Sequence, residues 1–354
     1  MNYNIGIYAE KVECITYTIA YSISLGDYNI FVITGENNPK NQQHQIYLKK
    51  ISELQNTRVI NNCDRAINLD LMYIDFTQSI SRKNVIKWSV NSKEVAAIYN
   101  FKYDSYRQNY IAQTKAIVKY FPLSLNYKNI GMLNNFYKFD PVSLLTKRYR
   151  IGFDVHSNFL QNQELSNLMF AFEWNPTDRR KYKINFLGNT EPDVRNDILR
   201  SIKKYLDLPE IIVNTQKYLP RSDTHLNWIE YDSNTSVEKR GLPAQKYMNL
   251  LSDSDFTLCP PGYISMTHRV IEALIRGSIP ILNKHELKLY DINLQHEINC
   301  IAVENNNWVA AIKKIFTIKR SKIIEMRSNI LEMKDNFLLP EVTAKRLRQK
   351  MGLN

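Results

Sequence analysis

The sequence predicts an α/β protein built as two Rossmann-like domains, each a parallel sheet with helices on both faces. Three observations point there. The chain has 354 residues, room for about two domains of ordinary size. Its 44% hydrophobic and 23% charged residues are the proportions of a globular protein that buries a sizeable core. Short apolar runs alternate with segments of helical periodicity, the pattern of strand–helix units around a parallel sheet.

In the first half, NIGIYA, NIFVIT and LMYIDF read as strands and VECITYTIAYSIS as a helix. VAAIYNF reads as a strand or as the opening of a helix. YRQNYIAQTKAIVKYF spaces Tyr110, Ile111, Ile117, Val118 and Phe121 as a helix would, and RYRIGFDVH is a short strand. The mixed stretch SNFLQNQELSNLMFAFEWNPTDRRKY holds the crossover between domains. The second half is more regular. KINFLGN, EIIVNT, DFTLCP, SIPILN and CIAV read as strands. DVRNDILRSIKKYL, LPAQKYMNLLSDS, MTHRVIEALIRG, NNWVAAIKKIF and KIIEMRSNILEMKDNF read as helices, with Tyr247, Leu250 and Leu251 forming an apolar stripe on the second of them. The expected division is an N-terminal domain over 1–165, a C-terminal domain over 166–335 and a basic helix over 336–354 that can pack back on the first domain.

The net charge of +12 suits an anionic partner, whether nucleotide, nucleic acid, acidic glycan or anionic membrane face. Much of the excess sits in IKKIFTIKRSK and AKRLRQK, without the interleaved aromatics of a surface for single-stranded nucleic acid. Cys14, Cys63, Cys259 and Cys300 have neither metal-type nor disulfide-type spacing and read as buried free thiols. No apolar run approaches the ~20 residues of a membrane-spanning helix, and the first residues lack the basic-then-apolar order of a secretory signal. The expectation is a cytoplasmic protein. G-x-x-x-x-G-K-[ST], G-x-G-x-x-G after the first strand and G-x-S-x-G are all absent from the sequence. A D-x-D that holds a nucleotide through a metal should follow a strand, whereas Asp253 and Asp255 precede theirs.

One window concentrates the chemistry: FTLCPPGYISMTHRVIEALIRGSIPIL, residues 256–282. The strand DFTLCP ends in a double proline and a sharp turn at the carboxyl edge of the sheet, where open α/β folds place ligands. Gly262 lets a ligand approach the backbone closely. Ser265 or Thr267 can cap the helix that begins near His268. The free N–H groups and partial positive charge of that helix start suit phosphate. Arg269 in the first turn is unfavourable for the helix dipole unless an anion compensates it. Glu272 lies three residues on, on the same face, and can accept hydrogen bonds from a ribose diol. The alternative is an Arg269–Glu272 pair on a solvated helix surface. His268 reads equally as a phosphate contact or a packing residue. Gly277 stands where a helix C-terminal cap is expected, and Pro280 suggests an edge strand or an early strand position.

This window resembles the C-terminal signature of exostosin-family glycosyltransferases. The residues that carry the resemblance are Asp255, Phe256, Leu258, Pro260, Gly262, Thr267, Arg269, Glu272, Ala273, Leu274, Gly277, Ile279 and Pro280. Two further pieces agree in order: Phe186, Gly188 and Arg195 in KINFLGNTEPDVRNDIL, and Tyr247, Leu251 and Ser254 in YMNLLSDSDF. The resemblance spans residues 181–290 and implies a GT-B fold, two Rossmann-like domains facing across a cleft, the C-terminal one holding the donor. It implies an inverting transferase that uses a UDP-sugar without a bound metal ion. Arg269 would neutralise the leaving diphosphate and Glu272 would hold the ribose. Gly188 would let its loop approach the diphosphate, and Arg195 or Lys217 would supply a second positive charge. The uracil would bind near EIIVNTQKY. The acceptor would be a glycan or a lipid-linked saccharide, the latter with peripheral contact to an anionic membrane.

Inversion asks for a general base from the N-terminal domain, at the carboxyl end of a strand. Glu10 is the first candidate, Asp154 and His156 the second, and Asp75 the third. Two other readings remain open at this point: a fucosyltransferase-like GT-B enzyme that uses a GDP-sugar, and a non-catalytic basic module that binds polyanions.

Overall fold

A computed structural model describes residues 3–35, 42–62, 64–65, 67–75, 84, 87–88, 91–100, 127–132, 147–150, 163–188, 190, 193–206, 226–232, 242–262, 267–288, 290, 292–350 and 353. The chain divides into two compact units, residues 1–157 with 340–354, and residues 158–339.

The first unit is a parallel sheet of seven strands: β1 (Tyr3–Ala9), β2 (Tyr28–Thr34), β3 (Thr57–Asn61), β4 (Leu69–Asp75), β5 (Ser92–Asn100), β6 (Tyr127–Met132) and β7 (Lys147–Arg150). Helices α1 (Cys14–Ser24) and α2 (Gln42–Ser52) make the first two crossovers. The strand order is β3-β2-β1-β4-β5-β6-β7, so the chain moves outward one way from β1 and then crosses to β4 on its other side. Ile5, Ile7 and Tyr8 of β1 and Ile30, Val32 and Ile33 of β2 are buried, as strands covered on both faces require.

The second unit holds α3 (Gln163–Phe170), β8 (Tyr182–Gly188), α4 (Asp193–Tyr205), β9 (Leu226–Asp232), α5 (Ala244–Ser252), β10 (Ser254–Leu258), α6 (His268–Ile275), β11 (Ile279–Asn283), β12 (Ile301–Val303), α7 (Trp308–Thr317) and α8 (Arg320–Met333). All its described pairings are parallel, in the order β12-β11-β10-β8-β9. Every residue of β10, β11 and β12 is buried, which is why these strands show as plain apolar runs. Thr257 of β10 bonds to buried polar neighbours: Asn185 Nδ2 of β8 donates to its Oγ1 at 3.0 Å, and it shares a hydroxyl contact of 2.7 Å with Ser278. The last helix, α9 (Pro340–Lys350), packs against α1 in the first unit.

The strands and helices read from sequence in the second unit recur wherever its residues are described. The expected helix over 106–121, the expected strand EIIVNT, and the end of RYRIGFDVH lie outside the described residues. VAAIYNF is a strand, within β5. Elements α2, β3, β6, α3 and β9 have no counterpart in the sequence reading. The helix α2 is polar (QQHQIYLKKIS), and β3 is a half-exposed edge strand, so neither shows the apolar run of a covered element.

Pro280 takes the second of its two expected places: it stands early in β11, which lies between β10 and β12 and is no edge. Ile281 O accepts from Cys259 N of the β10 side at 2.9 Å, so Pro280, one residue earlier, turns its missing N–H towards β12. Pairing with β12 begins only at Ile281, so no ladder hydrogen bond is lost. Gly277 ends α6 as expected: Ser278 N bonds Ala273 O at 2.8 Å and Gly277 N bonds Leu274 O at 2.9 Å. Its φ of +67° favours glycine, and a Cβ there would lie 2.6 Å from the ring of Trp174.

Candidate functional site

The strand order of the second unit puts β8 between β9 and β10. Chain connections leave this pair in opposite directions, and such a switch point opens a crevice outside the carboxyl ends of the strands. Gly188 ends β8, and the Pro260–Gly262 turn follows β10. Both fall at that crevice.

Arg269, the second residue of α6, reaches across it. It is 8% exposed, and its guanidinium lies 4.7 Å from the centroid of the Phe186 ring on β8. The room at Gly188 is taken by this guanidinium: a Cβ there would sit 1.8 Å from Arg269 Nη2. Arg269 Nη1 makes one long hydrogen bond, 3.5 Å, to Leu258 O, and Nε is buried without a partner among the described residues. A buried cation with most of its donors unspent is what an incoming anion would use.

Arg195, in the first turn of α4, is also buried and donates from Nε to Pro261 O at 3.0 Å. It thereby ties α4 to the double-proline turn. Glu272 is 3% exposed and accepts from Tyr247 Oη of α5 at 2.6 Å. Burial first, and then the neighbouring Glu272 charge, holds the Tyr247 phenol well above its ordinary range, so it stays a donor. Arg269 and Glu272 are therefore interior groups, and the alternative of a solvated surface pair does not hold.

Thr267 precedes α6 with extended backbone angles, but its side chain makes no cap. Its N–H instead goes to Tyr290 Oη at 2.8 Å, and that hydroxyl donates back to Thr267 O. Thr267 Oγ1 is left buried and unpartnered among the described residues. The backbone of Thr267 is thus held by a tyrosine that sequence spacing did not reveal. His268 opens α6 half-buried, and Gly262 is likewise half-buried. Ser265 and Lys217 lie outside the described residues.

The first unit has a switch point too, between β1 and β4. Glu10 directly follows β1 there. Tyr8 Oη donates to Glu10 Oε1 at 2.6 Å and accepts from Asn84 Nδ2 at 3.1 Å. Burial raises the Tyr8 phenol, with Glu10 adding to it. The other carboxylate oxygen lies over Gly35, where a Cβ would come within 1.5 Å of Glu10 Oε2. Asp75 ends the neighbouring strand β4. Asp154 and His156 lie outside the described residues.

Cys259 and Cys300 are buried free thiols, pushed up to about 12 by burial. Cys259 sits among the site residues yet holds its proton, so it offers no nucleophile. Among the described residues no group of three or more His, Cys, Asp or Glu is gathered to hold a metal ion. Asp255 of the D-x-D pair lies at the amino end of β10, opposite the crevice, bound to Arg327 with Arg320 at 3.4 Å and Lys183 at 4.0 Å.

Sequence reasoning missed three buried groups around this edge: Tyr290, Asn283 and Glu286. The only signal for the last two was N-x-x-E after an apolar run, a common helix-start pattern.

Residues 167–338 match the family described as the RXYLT1 C-terminal domain. A comparison with curated proteins finds no match. Among solved structures, the fold is similar to that of HepE from Anabaena. Its complex with UDP has a TM-score of 0.52 at 12% identity, covering 99% of this chain and 100% of that one. Its complex with UDP-glucose has a TM-score of 0.52 at 13% identity, covering 99% of each chain.

Proposed function

We propose that the chain, whose residues 167–338 match the RXYLT1 C-terminal domain, is an exostosin-like glycosyltransferase of the GT-B type, an inverting enzyme that uses a UDP-sugar without a metal ion. The single observation that carries the reading is Arg269: a guanidinium buried at the β8/β10 switch point, stacked on Phe186, with most of its donors unspent. A diphosphate would take those donors. Arg195 would add a second positive charge beside the turn, and the start of α6 would add its dipole. The UDP and UDP-glucose complexes of HepE, a protein of similar fold, support the choice of nucleotide.

In this reading an acceptor hydroxyl, on a glycan or a lipid-linked saccharide, attacks the anomeric carbon. The bond from that carbon to the diphosphate oxygen breaks, and UDP leaves with its charge met by Arg269. The proton lost by the hydroxyl goes to Glu10, which Tyr8 holds in place. Glu272, steadied by Tyr247, accepts from the ribose hydroxyls.

The test is a competition between UDP and GDP, with and without EDTA. The expected outcome is at least tenfold tighter binding of UDP, unchanged by the chelator. A preference for GDP would replace the donor with a GDP-sugar. Salt-sensitive polyanion binding without nucleotide preference would replace the enzyme with a binding module.

A further inference from the structure

The carboxyl end of β11 carries a polar pair that the diphosphate reading leaves unused. Asn283 ends the strand and is 3% exposed; Glu286, in the short helical turn Lys284–Lys288, is 1% exposed. Glu286 Oε2 accepts from Asn283 N at 3.3 Å, and Oε1 accepts from Asn283 Nδ2 at 3.2 Å. This is half of a capping box. In the full motif the first residue's side-chain oxygen also accepts an N–H of the turn. Here Asn283 Oδ1 is buried and unpartnered among the described residues.

Burial is the second anomaly. A pair that only starts a turn works as well at the surface, where its carboxylate stays hydrated. Here desolvation pushes the Glu286 carboxyl up to about 8, with Arg195 and the Asn283 bonds opposing that rise. The titratable groups around it are Arg195 of α4, Cys259, Tyr290 and His285, whose Nε2 lies 3.8 Å from Glu286 Oε1.

The pair stands beside the site already described. Leu258 of β10 pairs with Ile281 of β11, so Asn283, two residues on, is level with Pro260. That residue opens the turn which Arg195 holds through Pro261 O. An amide oxygen and a carboxyl are rich in acceptors and repel phosphate; they favour O–H groups.

We infer that Asn283 and Glu286 form the part of the donor site that holds hydroxyls of the donor's sugar ring, one hydroxyl donating to Asn283 Oδ1. This rests on the nucleotide-sugar reading above. It makes the β8/β10 crevice the diphosphate side and the end of β11 the sugar side.

The experiment is calorimetric titration of the full chain, and of Asn283→Ala and Glu286→Gln, with UDP and with UDP-glucose, UDP-galactose, UDP-N-acetylglucosamine and UDP-xylose. Glu286→Gln keeps the shape and the acceptor facing Asn283 N, so it covers the case in which Asn283→Ala fails to fold. For each variant, the UDP Kd is expected to stay within roughly twofold of wild type. The Kd for whichever UDP-sugar the wild type binds is expected to rise about tenfold, the loss of one or two hydrogen bonds. Equal weakening of UDP and UDP-sugar, or no weakening of either, would overturn the inference and leave the donor reading standing. A wild-type chain that bound neither UDP nor any UDP-sugar would overturn both.

Discussion

The two ends of the second unit's sheet both bury arginine, and they use it differently. At the amino end, Arg180 Nη1 donates to Ser254 O, Arg276 O and Leu251 O at 3.1 to 3.3 Å. Arg276 donates to Ser252 Oγ and Leu168 O, and Arg327 donates to Asp178 O and Asp255. Burial pushes Arg276 and Arg327 down to about 10, which leaves them charged at neutral pH. These cations tie loops, strands and helices together through two or three hydrogen bonds each, although Arg180 Nε, Arg276 Nη2 and Arg327 Nε make no hydrogen bond among the described residues. At the carboxyl end, Arg269 has a ring to stack on and one long hydrogen bond. All four are buried, and they differ in how many of their donors are used. A charge that donates two or three hydrogen bonds inside the protein works as a structural tie, and one with a single long bond has donors left for a ligand.

The largest effect should come from the amino end. Asp255→Ala strands Arg327, Arg320 and Lys183 without their shared counter-charge, and should cost about 3–5 kcal/mol in chemical denaturation. Arg269→Ala should do the reverse. It should lower transferase kcat/KM by roughly 30- to 1000-fold, or about 2–4 kcal/mol of transition-state stabilisation, while costing about 1 kcal/mol or less in stability. A fall in activity of less than about tenfold would remove Arg269 from the diphosphate role. An Arg269 variant as unstable as the Asp255 variant would erase the contrast between the two ends.

Glu286 sharpens the comparison through pH. Its pKa is raised in the fold, from 4.5 to about 8, so the folded state keeps a proton that the unfolded chain releases. Its contribution is most favourable below pH 4.5 and is lost as pH rises towards 8. Between pH 5.5 and 8.5, wild type should lose on the order of 2–3 kcal/mol relative to Glu286→Gln, measured by urea unfolding of both proteins. Parallel pH profiles would show that Glu286 does not carry the buried proton.

The smallest effect belongs to Tyr247→Phe, which removes the donor to Glu272. It should weaken UDP binding by roughly three- to tenfold with a stability cost of about 1–2 kcal/mol, the scale of one hydrogen bond to a charged group. Unchanged UDP affinity would detach Glu272 from the nucleotide.

Much of this site was legible before any coordinates. The window 256–282 announced a strand, a sharp turn, a helix start with Arg269 and Glu272, and Gly277 as its end. Its signals are local: proline and glycine restrict the backbone, and periodicity of 3.6 or 2 shows which face is covered. The same locality explains what these signals missed. Thr267 looked like a cap because capping is a short-range habit, yet its Oγ1 caps nothing and its backbone is held by Tyr290, 23 residues away in sequence. Pro280 read as an edge or an early strand residue, and only the sheet chose between the two, because nothing in a single strand tells where its neighbours begin to pair.

What the sequence determined by itself, then, is the alternation of elements, the parallel character of the sheets and the chemistry gathered at one turn. These follow from hydrophobic periodicity and backbone restriction, which act over a few residues. Only the tertiary structure decided which charges are satisfied. Whether Arg269 is a surface partner of Glu272 or a buried cation over Phe186 depends on β8 and β10, strands about 70 residues apart in the chain, lying side by side. Burial without partners is a property of the assembled fold, because desolvation is imposed by every element that covers a group at once.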